Sequence, residues 1–85
     1  MYRVLLRPPA QKFLRKLRDT SLTARLVAAM RDLASLPRPP GCEKLIGPAD
    51  LYRIRVGDYR IVYQVRDEVL LVLVVKIGHR REVYR

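Results

Sequence analysis

Residues 51–77 constrain this chain more than any other stretch. Three β-prone runs, at 51–56, 59–65 and 69–77, are divided only by Gly57-Asp58 and Asp67-Glu68. Connections this short leave no room for a crossover helix, so successive strands must pair antiparallel as a meander. The run from Val69 to Val75 is apolar at every position, which predicts a strand central in the sheet or covered on both sides. The run 51–56 alternates instead, with Tyr52, Ile54 and Val56 on one face and Arg53 and Arg55 on the other.

The first half reads as helical. A β-prone run at 2–6 ends at Pro8-Pro9, whose fixed φ suits the first turn of a helix. Phe13, Leu14 and Leu17 then form an apolar stripe, with Lys12, Arg15, Lys16 and Arg18 outside it. Asp19, Thr20 and Ser21 supply N-cap chemistry for a second helix, whose Leu22, Leu26, Ala29, Met30, Leu33 and Leu36 recur at helical spacing until Pro37. The segment 37–41, Pro-Arg-Pro-Pro-Gly, cannot continue that helix and acts as a connector, followed by a short edge strand at 43–46. The expected fold is α+β and two-layered: two helices of the N-terminal half pack on a mostly antiparallel sheet, in the order β-α-α-β-β-β(-β). The first strand is expected beside the apolar 69–77 run. A chain of 85 residues supports one core and one domain.

Lys and Arg number 18 against 8 Asp and Glu, so the chain carries a net charge of +10 and attracts polyanions: RNA, DNA, an anionic surface or an acidic protein. Fourteen of the 18 cations are arginine, which suits phosphate binding and equally suits a GC-rich coding bias. Cys42 stands alone, so no internal disulfide forms, and with His79 as the only histidine a Cys-His nucleophile has little support. No carboxylate cluster accompanies His79, so no metal site and no cofactor are expected. The chain opens without a signal-peptide pattern, and its longest apolar run is far shorter than the about 20 residues that span a bilayer. A cytoplasmic protein without a membrane anchor is expected.

If Gly57-Asp58 is a two-residue hairpin loop, Val56 faces Tyr59, Arg55 faces Arg60, Ile54 faces Ile61 and Arg53 faces Val62. Arg53, Arg55 and Arg60 then crowd one surface, where like charges repel unless an anion offsets them. A solvated basic face that keeps sheet edges apart is the other reading of the same cluster. An even-length second turn adds Leu71, Leu73, Val75 and Ile77 to this face. Apolar area beside basic charge then calls for a cover, either a protein partner with apolar and acidic side chains or the C-terminal residues folding back.

The chain resembles the RelE family of bacterial toxins, within the RelE/ParE group. The resemblance runs through Leu51-Tyr52-Arg53-Ile54-Arg55-Val56, then Asp58-Tyr59-Arg60-Ile61-Val62-Tyr63-Gln64-Val65, the apolar strand, and Gly78-His79-Arg80 with Glu82-Val83-Tyr84. It implies a single RelE-like toxin domain over residues 1–85, belonging to a type II toxin-antitoxin system. The implied activity is metal-independent cleavage of messenger RNA, typically in the ribosomal A site, with a RelB-like cognate antitoxin as partner. Position by position, Arg53 and Arg55 match two basic catalytic positions and Arg60 a phosphate-contacting arginine. Arg80 matches the proposed general acid and Tyr84 a base-stacking or orienting tyrosine. His79 is a further candidate for proton transfer and Arg81 for RNA binding, while the general base is left unassigned because arginine stays protonated. The alternatives are a ParE-like poison of DNA gyrase and a non-catalytic basic RNA-binding module.

Overall fold

The computed structural model describes residues 1–47 and 50–79. Strand β1 (Arg3–Leu6) leads into helices α1 (Pro8–Lys16) and α2 (Thr20–Asp32). Four further strands follow: β2 (Glu43–Lys44), β3 (Leu51–Val56), β4 (Tyr59–Arg66) and β5 (Leu71–His79). They form one five-stranded sheet in the order β1-β5-β4-β3-β2, parallel only between β1 and β5. The two-layer α+β expectation holds, with β1 beside the apolar strand and that strand inside the sheet.

Local signals set the helices. Two prolines occupy the first positions of α1, where a missing N–H costs nothing. Asp19 caps α2, its carboxylate accepting from the Leu22 N–H at 2.9 Å. The helix ends at Asp32, short of Leu36, because the next N–H groups of Leu33, Ala34 and Ser35 each bond three residues back. Such tightened turns keep the apolar repeat in phase for one more residue, so Leu33 is still buried while Leu36 is half exposed. The core between the layers holds Ala10, Leu26, Met30 and Leu33 against Ile54, Ile61, Tyr63, Val65, Val72, Val74 and Ile77. At about 25 cal/mol per Å² of apolar surface removed from water, this layer is the main favourable term in folding.

Three sequence expectations change. Val69 and Leu70 belong to the β4–β5 connection: residues 67–69 form a 3-10 turn and Leu70 takes a left-handed φ of 51°. The edge strand shrinks to two residues, and Ile46 lies fully exposed. The third change matters most. Pairing shifts within β5, from Val62 opposite Lys76 to Tyr63 opposite Val74, so Val75 is the extra residue of a β-bulge. Beyond the bulge every side chain swaps faces: Ile77 enters the helix-side core and Lys76 joins the opposite face. Ile77 was expected among the arginines, and a one-residue irregularity moves it.

The connector 37–41 is clamped to the sheet. The Tyr63 hydroxyl donates to the Pro37 carbonyl at 2.7 Å, and Arg38 makes a two-pronged contact with Asp67 at 2.8 and 3.2 Å. The Arg38 Nε–H also donates to the Tyr52 hydroxyl, and Tyr2 donates to Asp67. Hydrogen bonds first from Arg38 and then from Tyr2 hold the Asp67 carboxyl below the usual carboxylate range. A depressed folded-state pKa stabilises the fold above the unfolded pKa near about 3.9, and that contribution is lost as pH falls through the folded value. Urea unfolding of the wild type should therefore lose stability steadily below about pH 4, and Asp67→Asn should flatten that part of the profile while lowering stability at pH 7.

Candidate nucleic-acid interface

The β3–β4 hairpin builds the site. Gly57 sits at a φ of 60°, the left-handed value that the first residue of a type II′ turn needs, with Asp58 completing the two-residue loop. A side chain at Gly57 would also approach the Arg25 guanidinium at 3.4 Å. This turn fixes the register: Val56 opposite Tyr59, Ile54 opposite Ile61, Arg55 opposite Arg60, Arg53 opposite Val62. Arg53, Arg55 and Arg60 thus share the face turned away from the helices, as the sequence predicts.

The three arginines differ in surroundings. Arg60 is buried at 7% exposure, the one charged residue in the buried set among the described residues. The Arg53 side chain is 13% exposed and Arg55 is open to solvent. Exposed Lys76 adds a fourth cation through the bulge, across from Val62. Strand β2 brings in a carboxylate: Glu43 lies opposite Arg53 and is ion-paired to its guanidinium. Four cations and one carboxylate on one sheet surface can hold a phosphodiester by charge-assisted hydrogen bonds and present an acceptor beside it.

Lys76 and Glu43 were missed by sequence reading. Nothing in the apolar run marks the bulge, and a two-residue strand carries no periodicity from which its register could be read.

His79 goes elsewhere. Its neighbour Gly78 is the residue opposite Arg60, so strand alternation turns His79 to the helix side. There its ring meets the Tyr59 ring edge-on at 5.5 Å, and Tyr59 in turn meets Phe13 at 5.9 Å. The structure does not bring His79 together with the arginines. Arg80, Arg81 and Tyr84 lie outside the described residues.

The apolar part of the face lies toward β1, where Leu5, Leu71, Leu73 and Val75 are at least partly exposed. No group of three or more His, Cys, Asp or Glu among the described residues could hold a metal ion. No described helix is long and apolar enough to cross a membrane.

A family model described as the ParE toxin of the type II toxin-antitoxin system parDE matches residues 4–84. The chain belongs to this toxin family. Within the RelE/ParE superfamily, several of its relatives carry RelE names. It is 31% identical over 84 residues to Toxin RelG of Mycobacterium tuberculosis, covering 99% of this chain and 97% of that one. It is 36% identical over 81 residues to a putative RelE-like toxin protein of Escherichia coli, covering 93% and 83%. Among solved structures, the toxin of the archaeal RelE-RelB complex from Pyrococcus horikoshii superposes with a TM-score of 0.83 at 30% identity, over 95% and 97% of the two chains. The isolated E. coli RelE toxin superposes at 0.80 with 34% identity, over 99% and 92%. This chain is therefore a RelE-family toxin of type II toxin-antitoxin systems.

Lys76 stands on the arginine face only because of the bulge, so its charge should count in polyanion binding. Replacing Lys76 with Ala should lower the salt slope of binding to a single-stranded polyanion by roughly 0.7, the value for one lost phosphate contact, as read by fluorescence anisotropy across ionic strengths.

Proposed function

We propose that this toxin is a metal-independent endoribonuclease that cuts messenger RNA in the ribosomal A site. The observation that carries this reading is the grouping of Arg53, Arg55, Arg60 and Lys76 on one sheet face, with Glu43 at its β2 edge beside Arg53. Gyrase poisoning, the rival suggested by the ParE description of the family, requires no such phosphate-binding group.

In the proposed reaction the RNA 2′-hydroxyl attacks the adjacent phosphorus. The P–O2′ bond forms, the P–O5′ bond breaks, and the products carry a 2′,3′-cyclic phosphate and a 5′-hydroxyl. Arg55 and Arg60 stabilise charge on the non-bridging oxygens. Glu43 accepts the 2′-hydroxyl proton, the role that arginine cannot fill, and its ion pair with Arg53 fixes the carboxylate at the edge of the cation group. Arg80 donates a proton to the leaving 5′-oxygen and Tyr84 stacks on a base, as the family resemblance implies, with Arg81 as a further RNA contact. The placement of His79 against Tyr59 favours a packing role for that residue over proton transfer.

The partner proposed is a RelB-like antitoxin, since solved relatives are RelE-RelB complexes. A toxin acting on translated message works in the cytoplasm.

Purified toxin should cut translated message in EDTA, in phase with codons, and leave gyrase-linked DNA breaks at background. Arg60→Ala should lower the cleavage rate by about 100-fold to 1,000-fold, the effect of removing one donor to a developing oxyanion. Glu43→Gln should lower it by about 100-fold or more. Unchanged cleavage in both variants, or DNA breaks in place of RNA cuts, would overturn the nuclease reading.

A further inference from the structure

Beside the cation group lies a cleft of about 520 Å³, of the size that takes small ligands, formed where β2 stops short. Its walls are Ala29 and Leu33 of the α2 end, Pro39 and Pro40 of the connector, and Ile54 of β3, while Asp32, Glu43 and Arg55 supply polar groups. Ala29, Asp32 and Leu33 share a helix face by their spacing of three and four. The Leu45 N–H donates to the Leu51 carbonyl at 2.8 Å, so alternation points the peptide groups of Arg53 and Arg55 outward as well. Strand β2 covers Arg53 but ends before Arg55, leaving the Arg55 peptide directed at the cleft. Apolar walls with a few converging polar groups describe a site for a flat, hydrogen-bonding ring.

We propose that this cleft is a base-reading subsite, holding the nucleobase on the 5′ side of the cut and preferring guanine over uracil; it rests on the nuclease reading above. Glu43 and Arg55 belong to both the cleft and the arginine face, so a nucleotide whose 2′-hydroxyl meets Glu43 has its base within reach of the cleft. Asp32 is the reading group. Its carboxylate accepts hydrogen bonds only, and guanine presents two adjacent donors, N1–H and N2–H, that match its two oxygens. Uracil presents one N–H between two carbonyl oxygens that repel a carboxylate. The proline rings and Ile54 offer apolar surface to the face of the base.

Asp32 is the last residue of α2, where the helix dipole disfavours an anion, and no ion pair to it occurs among the described residues.

The test maps cut sites on translated message randomised around the codon, with wild type, Asp32→Asn and Ala29→Trp, beside melting and antitoxin-affinity measurements on each. Wild type should favour guanine 5′ of the cut. Asp32→Asn should melt at or slightly above the wild-type temperature and lose about tenfold of the guanine-over-uracil preference, within the range for one bidentate base contact. Ala29→Trp, which fills the cleft, should lower cleavage for all four bases; if it fails to fold, Asp32→Asn decides alone. An unchanged base preference in Asp32→Asn overturns the proposal, as does loss of antitoxin affinity in either variant with the cutting spectrum intact. A wild type that cuts no RNA removes the nuclease reading itself, and the subsite with it.

Discussion

Arg55 and Arg60 stand opposite one another across a two-residue turn, and the basic face follows from that pairing. A turn of two residues leaves one register, and in that register two guanidinium groups meet on neighbouring strands. The mutual repulsion is a standing cost to the folded state, of the order of a few tenths of a kcal/mol when exposed and more where water is excluded. Arg60 lies at 7% exposure, while Arg55 is open to solvent. Charge held in this way is preorganised, and under the proposed function a phosphate would meet cations already in position.

The surrounding fold supports the hairpin from three sides. Helices cover its apolar face, β5 bulges to deliver Lys76, and the short β2 delivers Glu43. The clamp of Tyr63, Arg38 and Asp67 holds the connector 37–41 in place, and that connector walls the cleft beside Arg55. Elements that look like packing details therefore decide which groups this face presents. The same face carries Leu5, Leu71, Leu73 and Val75, so one surface is basic at the turn end and apolar toward β1. That pairing of charge and exposed apolar area suits a substrate at one end and a protein cover over the remainder.

Much of this was legible in the residues, for identifiable reasons. Gly57-Asp58 between alternating runs specifies loop length and register together, so Arg53, Arg55 and Arg60 could be placed on one face before any coordinates. The apolar 69–75 run announced a strand inside the sheet. What escaped was whatever depends on one residue of phase. Val75, Lys76 and Ile77 give no sign of which is the bulge, since Ile77 fits either face by composition and Lys76 marks the outside only once the shift is known. Val69 and Leu70 look like strand residues and turn because the connection needs four residues. Glu43 was visible only as part of an edge strand, and Asp32 did not stand out in the sequence at all. Their nearness to Arg53 and Arg55 is tertiary. His79 was drawn to the site by its position after Gly78, and alternation sends it to the other side.

The most direct measurement of whether the arginine face is where RNA binds is a titration of side-chain Nε–H resonances with an uncleavable oligonucleotide lacking the attacking 2′-hydroxyl. Arg53, Arg55 and Arg60 should shift together, with one saturation curve that weakens as salt rises, while Arg15 and Arg18 on the helical side stay put. Shifts confined to the helical arginines, or no common saturation among the three, would contradict the assignment of this face.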